Sequence, residues 1–355
     1  MHHYATTFVI ALAVTVVLIP VAILLAKRTG AIDYPGGRRV NKKPVTRLGG
    51  IAIYLGFWLA ILWTQEIDQD LLGLLLGSLV IFSAGLWDDI RGLRPLYKFC
   101  WQIVAAVILL IFGFNMGSFS LPFVGQIFLS GIAFGLLGAL LTIIWLVGMI
   151  NTVNILDGLD GLASGICLIV ALLLFWSAQQ ISNYPQAIEA AHWTMALAGA
   201  ALGFLIFNFN PSRLIMGDSG SMFLGFTIGA ISLYGLLKTA TILGLIFPLL
   251  ILALPLFDVV FAIIRRKVRG KSITKADRGH LHHRLLDAGL TQRQAVLLLY
   301  MISGAFGLAA VLLAKGYWIL AVILLALDFA LLLNTLLRRK SLVAIFHKKM
   351  RRQDG

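Results

Sequence analysis

Long apolar runs, separated by short polar or basic stretches, organise the chain from end to end. Eleven of them approach the ~20 residues with which a helix crosses a bilayer. They cover roughly 5–26, 48–64, 71–87, 99–117, 128–150, 164–180, 191–208, 220–237, 242–264, 295–314 and 317–337. The fourth and fifth have the least defined edges, and Leu121–Gly131 between them is a candidate interfacial hairpin. The first run is long enough to span, and no small-residue cleavage site follows it, so it reads as a span rather than a signal peptide. The pattern predicts an all-α polytopic membrane protein of about eleven transmembrane helices. A single bundle occupies 1–337 and a basic tail 338–355.

Composition narrows the class. Of the 355 residues, 60% are apolar and 12% charged, and the mean hydropathy is +0.94. Soluble domains carry about 25% charged residues, and disordered chains are polar and charge-rich, so both classes are excluded. Cys100 and Cys167 form no CxxC or other metal spacing and read as core residues.

The net charge of +14 could by itself mean nucleic acid, anionic lipid or an anionic substrate. Placement decides. With the N-terminus outside, 27 of the 29 Lys and Arg residues fall in inner loops or the C-terminal tail. Only Lys238 and Lys315 fall outside. This is the positive-inside asymmetry; it puts the C-terminus in the cytoplasm, accounts for most of the charge as topology, and removes the nucleic-acid reading. Five GxxxG pairs lie in the spans: Gly73/Gly77, Gly131/Gly135, Gly161/Gly165, Gly199/Gly203 and Gly225/Gly229. They serve either a homodimer face or close packing within one bundle.

Intramembrane acids are expensive, so each is informative. Glu66, Asp68, Asp70 and Glu189 read as solvated ends of outer loops. Five others gather at inner loop edges. Asp88 and Asp89 are adjacent carboxylates that repel unless a proton or cation neutralises them, and hard oxygen ligands suit Mg²⁺ or Mn²⁺. Asn151, Asn154, Asp157 and Asp160 recur every three residues and predict a polar stripe on one helix face. One cap residue would suffice for a helix end, so four in register point to a ligand. Met216-Gly217-Asp218-Ser219-Gly220-Ser221 opens the eighth span, with Asp218 read as an N-cap that is also compatible with phosphate. Asp277–Arg284 holds Arg278, His280, His282 and His283; the spacing is no standard zinc pattern, and a basic His/Arg cluster suits phosphate better. Gly270-Lys271-Ser272 imitates a P-loop end, but the required upstream glycine position is Arg265.

At these residues the chain resembles the polyprenyl-phosphate N-acetylhexosamine-1-phosphate transferases, the family of WecA, TagO and MraY. The likeness runs through Arg47-Leu-Gly-Gly50, Asp88-Asp89, Asn151–Gly161, Met216–Ser221 and His280–His283. It implies transfer of a sugar-1-phosphate from a UDP-sugar to undecaprenyl phosphate with release of UMP. It also implies an Mg²⁺ or Mn²⁺ requirement and an active site on the cytoplasmic face of the cell membrane. By resemblance, Asp218 and Asn154 approach the metal, and Asp88, Asp89, Asp157 and Asp160 belong to catalysis. Lys98 contacts phosphate, and Arg47, Asn151, Arg278 and the three histidines join the substrate site. The His-x-His-His element resembles the GlcNAc-1-phosphate branch, which implies UDP-GlcNAc as donor. One departure stands out. The family usually carries an aromatic residue for uracil before Met-Gly-Asp, where this chain has Ile215. Uracil is then held differently, or nucleotide preference is altered.

A secondary transporter is the alternative. Such proteins place ionisable residues near the bilayer midplane, as Asp328 would be and, less centrally, Asp258. No inverted repeat accompanies them, and most acids lie at the inner edge. The tail Arg338–Arg352 mixes bases with apolar residues, which suits either an anionic lipid surface or a frayed end.

Overall fold

A computed structural model describes residues 3–34, 44–116, 118–121, 125–128, 132–237 and 281–331, with single positions 249 and 334. Numbering the described helices in order gives α1 (Tyr4–Thr29), α2 (Gly49–Thr64), α3 (Gln69–Arg91), α4 (Pro95–Ile111), α5 (Ile132–Leu156) and α6 (Leu162–Gln180). Then come α7 (Pro185–Asn208), α8 (Gly217–Ile231), α9 (Leu281–Asp287), α10 (Gln292–Ala314) and α11 (Trp318–Leu331). A π-helical turn, Ser232–Leu237, extends α8. The six helices α1, α3, α5, α6, α7 and α10 are long and apolar enough to cross a membrane, and α2, α4 and α11 are shorter apolar helices. The protein is therefore helical and membrane-type, as expected. The ninth expected span, 242–264, lies outside the described residues apart from Leu249, as do Asp258 and the tail from 338.

Two short antiparallel hairpins complete the description. β1 (Ile32–Asp33) pairs with β2 (Val45–Thr46), and β3 (Ser118–Leu121) pairs with β4 (Gly125–Phe128). The second falls where a hairpin was expected but begins at Ser118 rather than Leu121.

α8 is the centre of the bundle. It packs against α2, α3, α5, α6 and α7, and every residue from Ser219 to Ile231 is buried. A helix apolar on all sides belongs in such a place. Lipid is as apolar as leucine, so helices associate through close packing of small residues. The glycine pairs do this within the chain. Gly199 and Gly203 lie on the Phe8 and Leu12 carbonyls of α1, and Gly225 lies on the Ile150 backbone of α5. Gly77 meets the Phe226 ring of α8, and Gly165 meets Tyr300 of α10. Four of the five pairs are thus used in packing this chain; Gly131 lies outside the described residues.

α3 shows how the acids are distributed. Its N-cap Asp68 accepts from the Leu71 nitrogen at 2.7 Å. Asp70 and Asp88 are separated by eighteen residues, about 27 Å at ~1.5 Å per residue, close to the ~30 Å hydrocarbon core. The carboxylates of Asp68, Asp70 and Glu189 gather within 4.8 Å at one end, with the Tyr234 hydroxyl donating to Glu189. They were expected as solvated ends of outer loops; Asp68 is exposed, while Asp70 and Glu189 are partly buried, with α7 packed on the π-turn that carries Tyr234.

Candidate active site

The site forms around the N-terminus of α8. Gly217 opens the helix with φ 71°, and a side chain there would strike the Arg47 carbonyl and both Asp89 oxygens at 2.4–2.5 Å. Asp218 does not cap this helix, contrary to the sequence expectation. The helix begins one residue earlier, and the cap is Asp89 from α3. Asp89 Oδ1 accepts from the Asp218 nitrogen at 2.8 Å. Its Oδ2 accepts from the Ser219 nitrogen at 3.0 Å and from Ser219 Oγ at 2.6 Å. A carboxylate against free N–H groups at the positive end of a helix is favourable on both counts. The side chain of Asp89 is 0% exposed. Gly85, one turn earlier on α3, permits this approach: a methyl there would sit 2.5 Å from Ser219 Cα.

A second segment is sewn to the same place. The Ile215 nitrogen donates to the Thr46 carbonyl at 2.8 Å. The nitrogens of Gly49 and Gly50 donate to the carbonyls of Ile215 and Met216 at 3.0 and 2.8 Å. A methyl on Gly50 would lie 2.3 Å from the Gly220 nitrogen, so only glycine lets these backbones touch. Arg47 is thereby fixed beside the acids, with Nη2 3.4 Å from Asp89 Oδ1 and 3.9 Å from Asp218 Oδ1.

With Asp89 acting as cap, the Asp218 carboxylate is free to face the site. Asp88, Asp89 and Asp218 present oxygens within 4.8 Å of one another. Lys98 reaches in from the first turn of α4. Its Nζ lies 2.7 Å from Asp88 Oδ2 and 2.5 Å from Asp218 Oδ2. Pro95 at the first helical position starts α4 four residues before the expected 99, so Lys98 is helical rather than in a loop. Asp88 also accepts from the Leu93 nitrogen at 2.6 Å, which closes the turn between α3 and α4.

The comparisons with known proteins bear on this arrangement. The family model of Glycosyl transferase family 4 matches residues 71–236, the segment that carries Asp88, Asp89, Lys98 and Asp218. A probable undecaprenyl-phosphate N-acetylglucosaminyl 1-phosphate transferase of Bacillus subtilis is 33% identical, over 89% of this chain and 86% of its own. A decaprenyl-phosphate N-acetylglucosaminephosphotransferase of Mycolicibacterium smegmatis is 35% identical, over 81% and 77%. The undecaprenyl-phosphate alpha-N-acetylglucosaminyl 1-phosphate transferase of Haemophilus influenzae is 33% identical, over 79% and 78%. The chain belongs to the polyprenyl-phosphate N-acetylhexosamine-1-phosphate transferase family.

The transferase's polar stripe is shorter than its spacing suggests. α5 ends at Leu156, so Asn151 and Asn154 are helical while Asp157 and Asp160 stand in the turn to α6. Gly161, with φ 84°, then makes the left-handed step that opens α6. Asn154 donates to Ser221 Oγ at 2.9 Å and so borders the first turn of α8. Asn151 exchanges amide hydrogen bonds with Gln102 of α4 at 2.8 and 3.3 Å, a lock between two helices. Asp160 Oδ2 accepts from Asn210 Nδ2 at 2.9 Å and from the Ser212 nitrogen at 3.2 Å, which anchors the segment leading to Asp218.

Asp157 is different. Among the described residues its carboxylate makes no hydrogen bond or ion pair. Burial pushes its carboxyl well above the usual range, and the nearby charges of Asp218 and Asp89 push the same way. An unengaged carboxylate beside three others is a candidate for proton handling.

In this transferase Arg278 and His280 lie outside the described residues, and so do the side chains of His282 and His283, whose backbones open α9. Asp328 lies on α11, buried, with one carboxylate oxygen that has no hydrogen-bond partner among the described residues. Three positions at the site were not singled out by sequence. Gly85 falls one helical turn from Asp89, a spacing that marks a shared face. Ser219 looks like an ordinary first-turn serine, and Gln102 an ordinary polar residue near a helix start. Their partners are distant in sequence, at separations of 130 and 49.

The donor set fits a hard divalent cation. Three carboxylates converge, and an ammonium group sits among them as a stand-in for positive charge. Asp218, whose side chain is 16% exposed, is the member a solvent-borne ion reaches most readily.

Proposed function

We propose that the chain transfers N-acetylglucosamine-1-phosphate from UDP-GlcNAc to a polyprenyl phosphate such as undecaprenyl phosphate, releasing UMP. The observation that carries this reading is the convergence of Asp88, Asp89, Asp218, Lys98 and Arg47 at one end of an apolar bundle. An isoprenoid tail stays in the bilayer and its phosphate reaches only the surface, so the chemistry belongs at a helix end. The basic residues on that side and the 27-to-2 asymmetry support a cytoplasmic site in the inner membrane, an outside N-terminus and about eleven spans.

In the reaction an oxygen of the lipid phosphate attacks the β-phosphorus of the UDP-sugar. The bond from that phosphorus to the bridging oxygen breaks, and UMP leaves with the bridging oxygen. A divalent ion, Mg²⁺ or Mn²⁺, bound by Asp218 with Asn154 nearby, would neutralise charge building on the diphosphate. Lys98 and Arg47 add fixed positive charge beside the same oxygens. Asp88, on the last turn of α3, orients the acceptor phosphate or takes its proton; that proton leaves at about pH 6, so little basicity is needed. Asp89 holds the N-terminus of α8 in place. His280, His282, His283 and Arg278 supply further phosphate contacts.

Purified protein with undecaprenyl phosphate and Mg²⁺ tests the reading by UMP release, with UDP-GlcNAc, UDP-GalNAc and UDP-MurNAc-pentapeptide as donors. Release that needs both lipid and metal, fastest with UDP-GlcNAc, is the expected result. Folded protein that releases no UMP from any donor would refute it.

A further inference from the structure

The Lys98 ammonium makes its two shortest contacts to Asp218, the carboxylate assigned to the metal, and to its neighbour Asp88. It does not contact Asp89, whose oxygens are committed to the α8 N-terminus. We propose that Lys98 is an internal counter-cation: it holds the Asp88–Asp218 pair in the absence of metal, is displaced when a divalent cation binds, and then turns to a substrate phosphate. The inference rests on the metal-dependent reading above.

Charge requires the exchange. Asp88, Asp89 and Asp218 face Lys98 and Arg47, so without metal the acids exceed the bases by one. A divalent ion and Arg47 together neutralise the three carboxylates. The Lys98 charge is then in excess, and like charges crowded at a half-buried site repel. Geometry permits the movement. Lys98 is on the first turn of α4, its side chain is 25% exposed, and four rotatable carbons carry the ammonium. Asp88, with Oδ1 on the Leu93 nitrogen, stays in place while its other oxygen changes partner. The device keeps a carboxylate cluster from repelling itself apart before metal arrives. It also loads a cation beside the place where a diphosphate must bind.

The expected signature has two opposite signs. Full-length protein in nanodiscs is titrated with Mn²⁺ alone and followed by electron paramagnetic resonance. Wild type should bind Mn²⁺, and Lys98→Met should bind it about tenfold more tightly because the competitor is gone. Asp218→Asn should lose the site in either background. With Mn²⁺ saturating, UDP affinity should move the other way and weaken about tenfold in Lys98→Met. A generally damaged site would weaken both. Unchanged or weaker Mn²⁺ binding by Lys98→Met, with wild type binding normally, overturns the displacement and leaves the metal reading standing. Tighter Mn²⁺ binding with unchanged UDP affinity overturns the transfer to phosphate. No Mn²⁺ binding by wild type overturns the metal reading and this inference with it.

Discussion

Asp88 and Asp89 are neighbours in sequence with the same side chain, yet their removal should have opposite consequences. Asp89 is fully buried and accepts two backbone N–H groups and one hydroxyl at 2.6–3.0 Å, with Arg47 alongside. Asp89→Ala leaves three donors at the start of the central helix without an acceptor. Each hydrogen bond to a charged group is worth about 1.5–3 kcal/mol, and breaking a buried charged pair costs about 3–5 kcal/mol. Three such bonds amount to about 4.5–9 kcal/mol, which meets the second range near its top, so a loss of about 5 kcal/mol follows. Asp89→Asn keeps one carbonyl oxygen but turns an NH₂ group toward N–H donors, so it should lose about half as much.

Asp88 contacts one backbone nitrogen and Lys98. Asp88→Asn keeps a carbonyl acceptor for the Leu93 nitrogen and gives up only a partly exposed ion pair, worth about 0–1 kcal/mol. Its turnover should nevertheless collapse while UDP-sugar binding persists. The assay is thermal unfolding in detergent followed by tryptophan fluorescence, run beside UMP release. Asp89→Ala should unfold well below wild type, and Asp88→Asn near wild type but inactive. Asp89→Ala unfolding with wild type would refute the capping role, and near-normal turnover in Asp88→Asn would refute its part in the reaction.

Three other outcomes are expected. Asp157 carries a carboxyl raised by burial and neighbouring acids. The stability it contributes is therefore fully present below about pH 4 and is lost as pH rises through its raised value; Asp157→Asn should flatten that decline in a metal-free pH series and abolish UMP release. Gly85→Ala places a methyl 2.5 Å from the Ser219 backbone; overpacking costs about 1–3 kcal/mol and should displace Asp218, read as lower melting temperature and weaker Mn²⁺ binding together. Asp160→Ala strips the acceptor from Asn210 and Ser212, and should lower stability by about 1–3 kcal/mol, with Asp160→Asn recovering part of it.

The helical architecture was legible because lipid imposes a length and a composition on each span. Apolar runs marked α1 to α8, α10 and α11, with ends that differ by up to about six residues, as at α4, α5 and α7. The acids at helix ends were legible because intramembrane charge is costly and therefore placed. What could not be read was which acid does what. The Asp88–Asp89 pair carries no local sign that one faces Lys98 and the other caps α8; that division depends on a partner 129 residues away. Asp218 beside a helix start has the appearance of a cap, and only the trans capping by Asp89 shows why its carboxylate is available. The three-residue repeat from Asn151 to Asp160 is not one helix face, because α5 ends at Leu156 and leaves Asp157 and Asp160 in the following turn.

The position of the cluster follows from a conflict between lipid and charge. Three carboxylates within 4.8 Å could not be sustained in the middle of the bundle, where nothing would solvate them. At the C-terminal end of α3 they meet the N-terminus of α8, two basic side chains and the edge of the solvent. α8 is the most enclosed helix of the described bundle, so its N-terminal dipole is weakly screened and holds Asp89 firmly. Asp89 in turn leaves Asp218 projecting from a fixed first turn. A rigid core helix thus presents one adjustable carboxylate to the membrane surface. That is where a phosphate tethered to an isoprenoid and a soluble nucleotide sugar can meet. Moving the acids one turn back along α3, about 5.4 Å, would keep the composition but uncap α8, strike the Ser219 backbone at position 85 and separate the two substrates.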